Sequence, residues 1–269
     1  MPVADLTNEI AAVIAAGGSV TSEYERLAQR WHDYIDADRT AADKLAAAFI
    51  GTEPLERVHE LTGLALAELA GPKERATVRN DLDAQLYPIL KNEYAKTAAA
   101  NYDTLRGQFN ATAAAFTKAA ATADPDTDAG TLLQADAKTR TAWLDAAVHA
   151  QELTALVPVL AAAAKLAGAR VITNDDHLPL TVNPGSAHRR RVWEAWASNG
   201  RAGRWAALAK LGATIHAPAL DDIKPYRQPA PMQIKQVPVA YGIQQIPYDP
   251  EDADYKPQHV SDSAMVVHK

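Results

Sequence analysis

The sequence predicts a mainly α protein. It is a helical bundle built around a long antiparallel helical hairpin, with short β-like pieces near 171–183 and an extended, proline-rich C-terminal arm. Three observations carry this expectation. Apolar residues recur every third or fourth position through most of residues 1–169. Apolar residues make up 48% of the 269-residue chain but aromatics only 6%, and much of the remainder is alanine. Alanine buries little area, so such helices must pack closely around a thin core. Half of the 16 prolines fall after Ala217, a density that excludes helix and a central strand.

The elements follow in order. Val3, Leu6, Ile10, Val13 and Ile14 sit at helical spacing, and Gly17-Gly18 ends that segment. Ser22 with Glu25 reads as a capping box, and Leu27, Trp31, Tyr34 and Ile35 continue one face. Further starts are expected at Thr52, as a cap, and at Pro72, in the tolerated first turn. From near Asp81, Leu82, Leu86, Leu90, Tyr94, Ala98, Tyr102, Leu105, Phe109, Ala113 and Phe116 form one stripe. That spacing predicts a helix of about 40 residues, roughly 60 Å long. After the acidic loop around Asp124–Asp128, Thr131 and Gln134 read as another capping start. A second long helix runs through Trp143, Leu144, Val148, Leu153, Leu156 and Leu160 to Gly168, with a kink expected at Pro158. A short connection between two long helices implies an antiparallel hairpin.

After Gly168, Val171-Ile172 and Leu178–Val182 read as β-like pieces bounded by turn residues. Two short helices follow, one capped by Ser186 and closed at Gly200, the next closing at Gly212. The chain thus divides into a bundle (1–169), a small mixed segment (170–216) and an arm (217–269). The arm is not a solvated linker. Ile234, Val237, Val239, Tyr241, Ile243, Ile246 and Tyr248 alternate with polar groups, a composition suited to lying on a partner surface. Ile234, Val237 and Val239 in particular suit an edge strand added to a neighbour's sheet.

Charge and motif content exclude several classes. The net charge of −6 argues against a chain that wraps nucleic acid. The absence of cysteine removes disulfides, thiol nucleophiles and cysteine zinc sites. Asp5 and Glu9 stand where a signal peptide carries Lys or Arg, which predicts no secretion by that route. The apolar run Leu153–Ala169 is short for a membrane span and is interrupted by Pro158 and Lys165. No phosphate loop, nucleophile elbow or zinc-helix motif is present, so no cofactor, metal or catalytic residue is expected. Asp175, Asp176, His177 and His188 are the nearest approach to a metal or proton-transfer cluster, and their spacing fits no known ligand pattern. An enzyme with its site in 174–191 is therefore the weakest of the functional alternatives. Arg189, Arg190 and Arg191 open a predicted helix, where positive charge opposes the helix dipole. They call for a nearby anion, and an acidic protein surface fits better than a nucleic acid.

The bundle around Leu82–Phe116 and Trp143–Leu160, together with the arm Pro218–Lys269, resembles the structural proteins of tailed-bacteriophage virions, of the head–tail adaptor and head accessory type. The resemblance is architectural and rests on no signature residue. It implies a non-enzymatic assembly protein located in the virion after assembly in the host cytoplasm. Its implied partners are portal, capsid or tail subunits and further copies of itself, bound through the arm. The alternative is a cytoplasmic helical protein-binding module whose arm folds back on its own body.

Overall fold

A computed structural model describes residues 2–36, 41–69, 71–171, 173–239, 242–252 and 255. The chain is mainly helical, as its sequence predicts. The helices are α1 (Pro2–Ala15), α2 (Ser22–Ile35), α3 (Ala41–Ile50), α4 (Leu55–Glu68), α5 (Pro72–Thr122), α6 (Ala129–Leu132), α7 (Ala137–Leu166), α8 (His177–Thr181), α9 (Arg189–Trp196) and α10 (Gly203–Lys210). Strands β1 (Val182–Asn183) and β2 (Thr214–Ile215) pair antiparallel, as do β3 (Gln233–Val239) and β4 (Gly242–Tyr248). Two compact units result. One comprises Met1–Phe109, Thr154–Ile172 and Pro218–Ile223; the other comprises Asn110–Leu153, Thr173–Ala217 and Lys224–Lys269.

In the first unit, the stripe on α5 meets α1 and α2. Val3, Leu6, Ile10, Tyr24, Trp31, Leu90, Tyr94 and Ala98 form one core, with Leu166 and Ala167 packed against it. Early α5 thus meets the end of α7, as an antiparallel hairpin requires. Polar groups fix the ends. The Val3 N–H donates to the buried Asp83 carboxylate at 3.1 Å, which stabilises the positive start of α1. Asn101 is buried and accepts from Ser19 N–H while donating to Ser19 C=O, each at 2.8 Å. Gly17 turns the chain at φ 100°, where a side chain would be strained. Helices α3 and α4 make their own hairpin. Glu68, at the end of α4, accepts from the Ala41 N–H at the start of α3.

In the second unit, late α5 faces early α7. Ala146, Ala150 and Leu153 are buried on α7, and Ala113, Phe116 and Ala119 on α5. By length and composition α7 could cross a membrane, and among the described residues no other helix could. Here much of one face is buried in protein. Trp196 and Trp205 meet edge to face at 5.8 Å between α9 and α10. Arg201 lies 3.1 Å over the Trp143 ring and donates to the Trp143 carbonyl. Asn110 clasps Ala217 from both sides, accepting its N–H at 2.7 Å and donating to its C=O at 3.1 Å.

Several local expectations are corrected. Residues 177–181 are helical rather than β-like; only Val182 and Asn183 are extended. A short apolar run does not distinguish strand from helix by period. The helix starting at Pro72 is found, but it is continuous with the segment expected to begin near Asp81, giving one α5 of 51 residues. The cap of α2 is Thr21, whose extended backbone lets its hydroxyl accept the Tyr24 N–H at 3.1 Å; Ser22 is already helical. Pro54 and His188 take the cap positions expected at Thr52 and Ser186. The long helix expected to start at Thr131 begins at Ala137, where the Asp136 carboxylate accepts the Thr139 N–H at 2.7 Å; Thr131 lies instead within the short α6 capped by Asp128. Leu82 on α5, and Leu144 and Val148 on α7, are exposed rather than core.

Candidate functional site

The arginine-rich start of α9 does find anions, and they belong to the chain's own arm. Arg190 donates to Asp249 at 2.5 Å and to the Ala230 carbonyl at 2.6 Å. Both partners are buried, with side-chain exposures of 9% for Arg190 and 1% for Asp249. Its hydrogen bond from Arg190 holds the Asp249 carboxyl down at about 2, below its ordinary 3.8, despite the opposing effect of burial. Arg189 pairs with Glu251, which also receives Arg227 at 2.8 Å and the Ala230 N–H at 3.3 Å. His188 lies 2.8 Å from Asp252 and stacks on Tyr255 at 4.9 Å. Arg190 and Arg191 each sit 5.7 Å over the Tyr255 ring. The Tyr255 hydroxyl bonds Glu194, and burial, reinforced by that carboxylate, pushes it up to about 12. Trp193 donates to the Arg227 carbonyl at 3.2 Å and stacks on Tyr226.

This clasp explains the unfavourable dipole position of the arginines. Their positive charge at the start of α9 is matched by carboxylates about 60 residues later, with one pair desolvated. Sequence reasoning named the arginines but not Asp249, Glu251, Asp252 or Tyr255. The acidic run at 249–252 was visible, yet nothing local tied it to α9.

The candidate metal cluster does not assemble. Asp176 is used locally, accepting from the Thr173 N–H at 2.8 Å. Asp175 receives Gln228 at 2.8 Å, and His188 is engaged with Asp252. Burial lowers the His177 pKa, with Asp176 opposing and Arg204 adding. Among the described residues no three His, Asp or Glu side chains converge as metal ligands. Between late α5 and early α7 lies a groove of about 560 Å³, whose titratable lining is Lys118, Lys138, Asp145 and His149. His149 is 3.0 Å from Glu152.

Beyond the clasp the arm is a β-hairpin. Strand β3 runs antiparallel to β4 with Ile234 opposite Pro247, Gln236 opposite Gln245 and Pro238 opposite Ile243. Its β-residues therefore pair with each other. A proline nitrogen cannot donate, so Pro238 and Pro247 occupy the non-hydrogen-bonded positions, whose polar groups face outward. The outward donors are then Ile234 and Gln236 on β3, and Ile243 and Gln245 on β4. Each free edge is interrupted by a proline. Ile234, Ile243 and Ile246 are exposed, while Val237 and Tyr248 are half-buried. Tyr248 donates to Gln233 across the pair at 2.5 Å. Tyr241 and the side chain of Val239, also expected to bind a partner, lie outside the described residues.

No known family, no curated protein and no solved structure matches this chain.

Proposed function

We propose that this chain is a non-enzymatic assembly protein of the tailed-bacteriophage virion type, and that the β3–β4 hairpin is the part it offers to neighbouring subunits. One observation supports the reading above others. The hairpin leaves Ile234, Ile243 and Ile246 bare, while its root is fixed by the buried Arg190–Asp249 pair. A two-stranded hairpin is marginal in water by itself. One with bare isoleucines and an anchored root is pre-organised for a partner, which reduces the ordering cost of binding. Many weak contacts of this size add up in a ring. The virion setting draws on the resemblance of the bundle and arm to head–tail and head accessory proteins.

The test has two parts. The variant carrying Ile234→Lys and Ile243→Lys should keep its helical circular dichroism and lose incorporation into particles of a phage that encodes the chain. Incorporation at the wild-type level would refute the hairpin's role. Peptides of the wild-type chain recovered only from the soluble host fraction, never from purified virions, would refute the setting. A second reading, a cytoplasmic helical protein-binding module, draws on the clasp itself, because the arm's root folds onto its own unit. It predicts a chain that remains a monomer and binds one partner at a fixed ratio.

A further inference from the structure

The α3–α4 hairpin carries a large bare apolar face. Phe49, Leu55, Leu66 and Leu69 are 75%, 67%, 64% and 79% exposed. They share one side of the hairpin. The seam between the helices is set by Ala41, Leu45 and Ala48 on α3 and by Val58, Leu61 and Ala65 on α4. At about 3.6 residues per turn, Phe49 lies about a quarter turn from the α3 seam. Leu55, Leu66 and Leu69 lie an eighth to a third of a turn from the α4 seam, in the same rotational sense. Because the helices are antiparallel, equal senses fall on one face. Ala42, Ala46, His59 and Thr62 extend that face. The charges Asp43, Lys44, Glu56, Arg57 and Glu60 point away from it, and Arg57 is engaged with Glu60 at 2.5 Å.

The geometry points to this face as a self-association surface, on which a second copy of the chain docks its own α3–α4 hairpin to complete a four-helix bundle. Three features select that occupant. The hairpin's own core is small, namely Ala48, Val58 and Leu61 with Leu45 beside them. Two helices of 10 and 14 residues need more tertiary cover than that to be stable. The face bears no carboxylate, ammonium or guanidinium, its one titratable ring being the exposed His59 between Leu55 and Leu66, so no fixed like charges oppose docking although each copy carries −6. Its four large side chains and flanking small ones present roughly 600 Å², close to the ~800 Å² per partner of a standard interface. A twofold axis lets the same patch serve on both sides. Leu64 lies on the opposite side of α4 and plays no part. The β3–β4 hairpin belongs to the other unit, and its variants test the proposed function separately.

Sedimentation equilibrium of the full chain, over about 1–100 µM, tests this. The expected result is a concentration-dependent rise from 28.9 kDa to twice that mass. Leu66→Glu and Leu69→Glu should each weaken the association at least about tenfold, with circular dichroism unchanged, because both positions are exposed in the single chain. Leu64→Glu should associate as the wild type does. A wild type that stays at 28.9 kDa throughout would overturn the proposal. So would Leu66→Glu and Leu69→Glu variants that associate normally, or an Ile243→Lys variant that abolishes association while they retain it. A wild type that is monomeric alone but floats with phosphatidylcholine vesicles would instead assign the face to lipid, and would equally overturn it.

Discussion

Asp249→Asn should loosen the arm's root without unfolding either unit. Asp249 sits 2.5 Å from Arg190, and both side chains are withdrawn from water. Removing one member of a buried pair costs about 3–5 kcal/mol, because the other charge is left uncompensated. Asparagine keeps an acceptor oxygen for the Glu251 N–H, so the cost falls at the lower end, about 3 kcal/mol. An independent route gives a similar figure. Holding the carboxyl at about 2 rather than 3.8 corresponds to about 2 kcal/mol by linkage. A loss of 2–3 kcal/mol raises the detached population about 30- to 150-fold. Native-state hydrogen exchange measures that population. The Ala230 and Glu251 amides, which donate to Glu251 and Asp249, should exchange faster by that factor. Amides of residues 90–109 should not change. The double variant Arg190→Met with Asp249→Leu should restore much of the protection at Ala230, since a well-packed apolar pair can replace a buried ion pair, but not at Glu251, whose amide loses its acceptor. Exchange within threefold of wild type in Asp249→Asn would refute the reasoning, as would equal acceleration throughout the bundle.

Acid should open the same clasp. The folded pKa of Asp249 lies below its unfolded value, so its contribution is fully present above about pH 3.8 and is lost as pH falls toward 2. Trp193 fluorescence should report it, because Trp193 stacks on Tyr226 and donates to Arg227. Phe109→Ala, at a fully buried stripe position, should cost about 3–5 kcal/mol, whereas Leu144→Ala on the exposed side of α7 should cost under about 0.5 kcal/mol, both by chemical denaturation. Asn101→Ala should cost about 2–3 kcal/mol and lower Tm, because it strands the Ser19 backbone groups; an unchanged Tm would mean that water replaces the side chain.

The bundle was legible where large side chains repeat. Leu90, Tyr94, Tyr102, Leu105, Phe109 and Phe116 read as one stripe and all are buried. Helix α7 was legible as a helix, but its buried face was not. That face is built of Ala146, Ala150, Ala161, Ala163 and Ala164 as much as of leucine, and alanine is as common on open faces. Leu144 and Val148 drew the eye to the wrong side. Caps slipped by one to five residues because residues such as Thr21 and Ser22 are equally able chemically, and only backbone angles separate them. In the arm, the prolines correctly excluded helix. They did not exclude a hairpin, since Pro238 and Pro247 occupy positions where no donor is needed. The arginines raised the right question, but pairing Arg190 with Asp249 is a long-range event that no local pattern encodes.

Those two prolines have a consequence at high copy number. Hairpins displayed side by side are seeds for sheet growth, each free edge inviting the next strand until a fibre forms. Here an incoming strand would find donors at Ile243 and Gln245 and then none at Pro247; on the other margin it would find Ile234 and Gln236 and then Pro238. Growth stalls within a few residues on either side. Crowded hairpins of this kind therefore remain discrete, meeting neighbours through side chains rather than zipping into a common backbone.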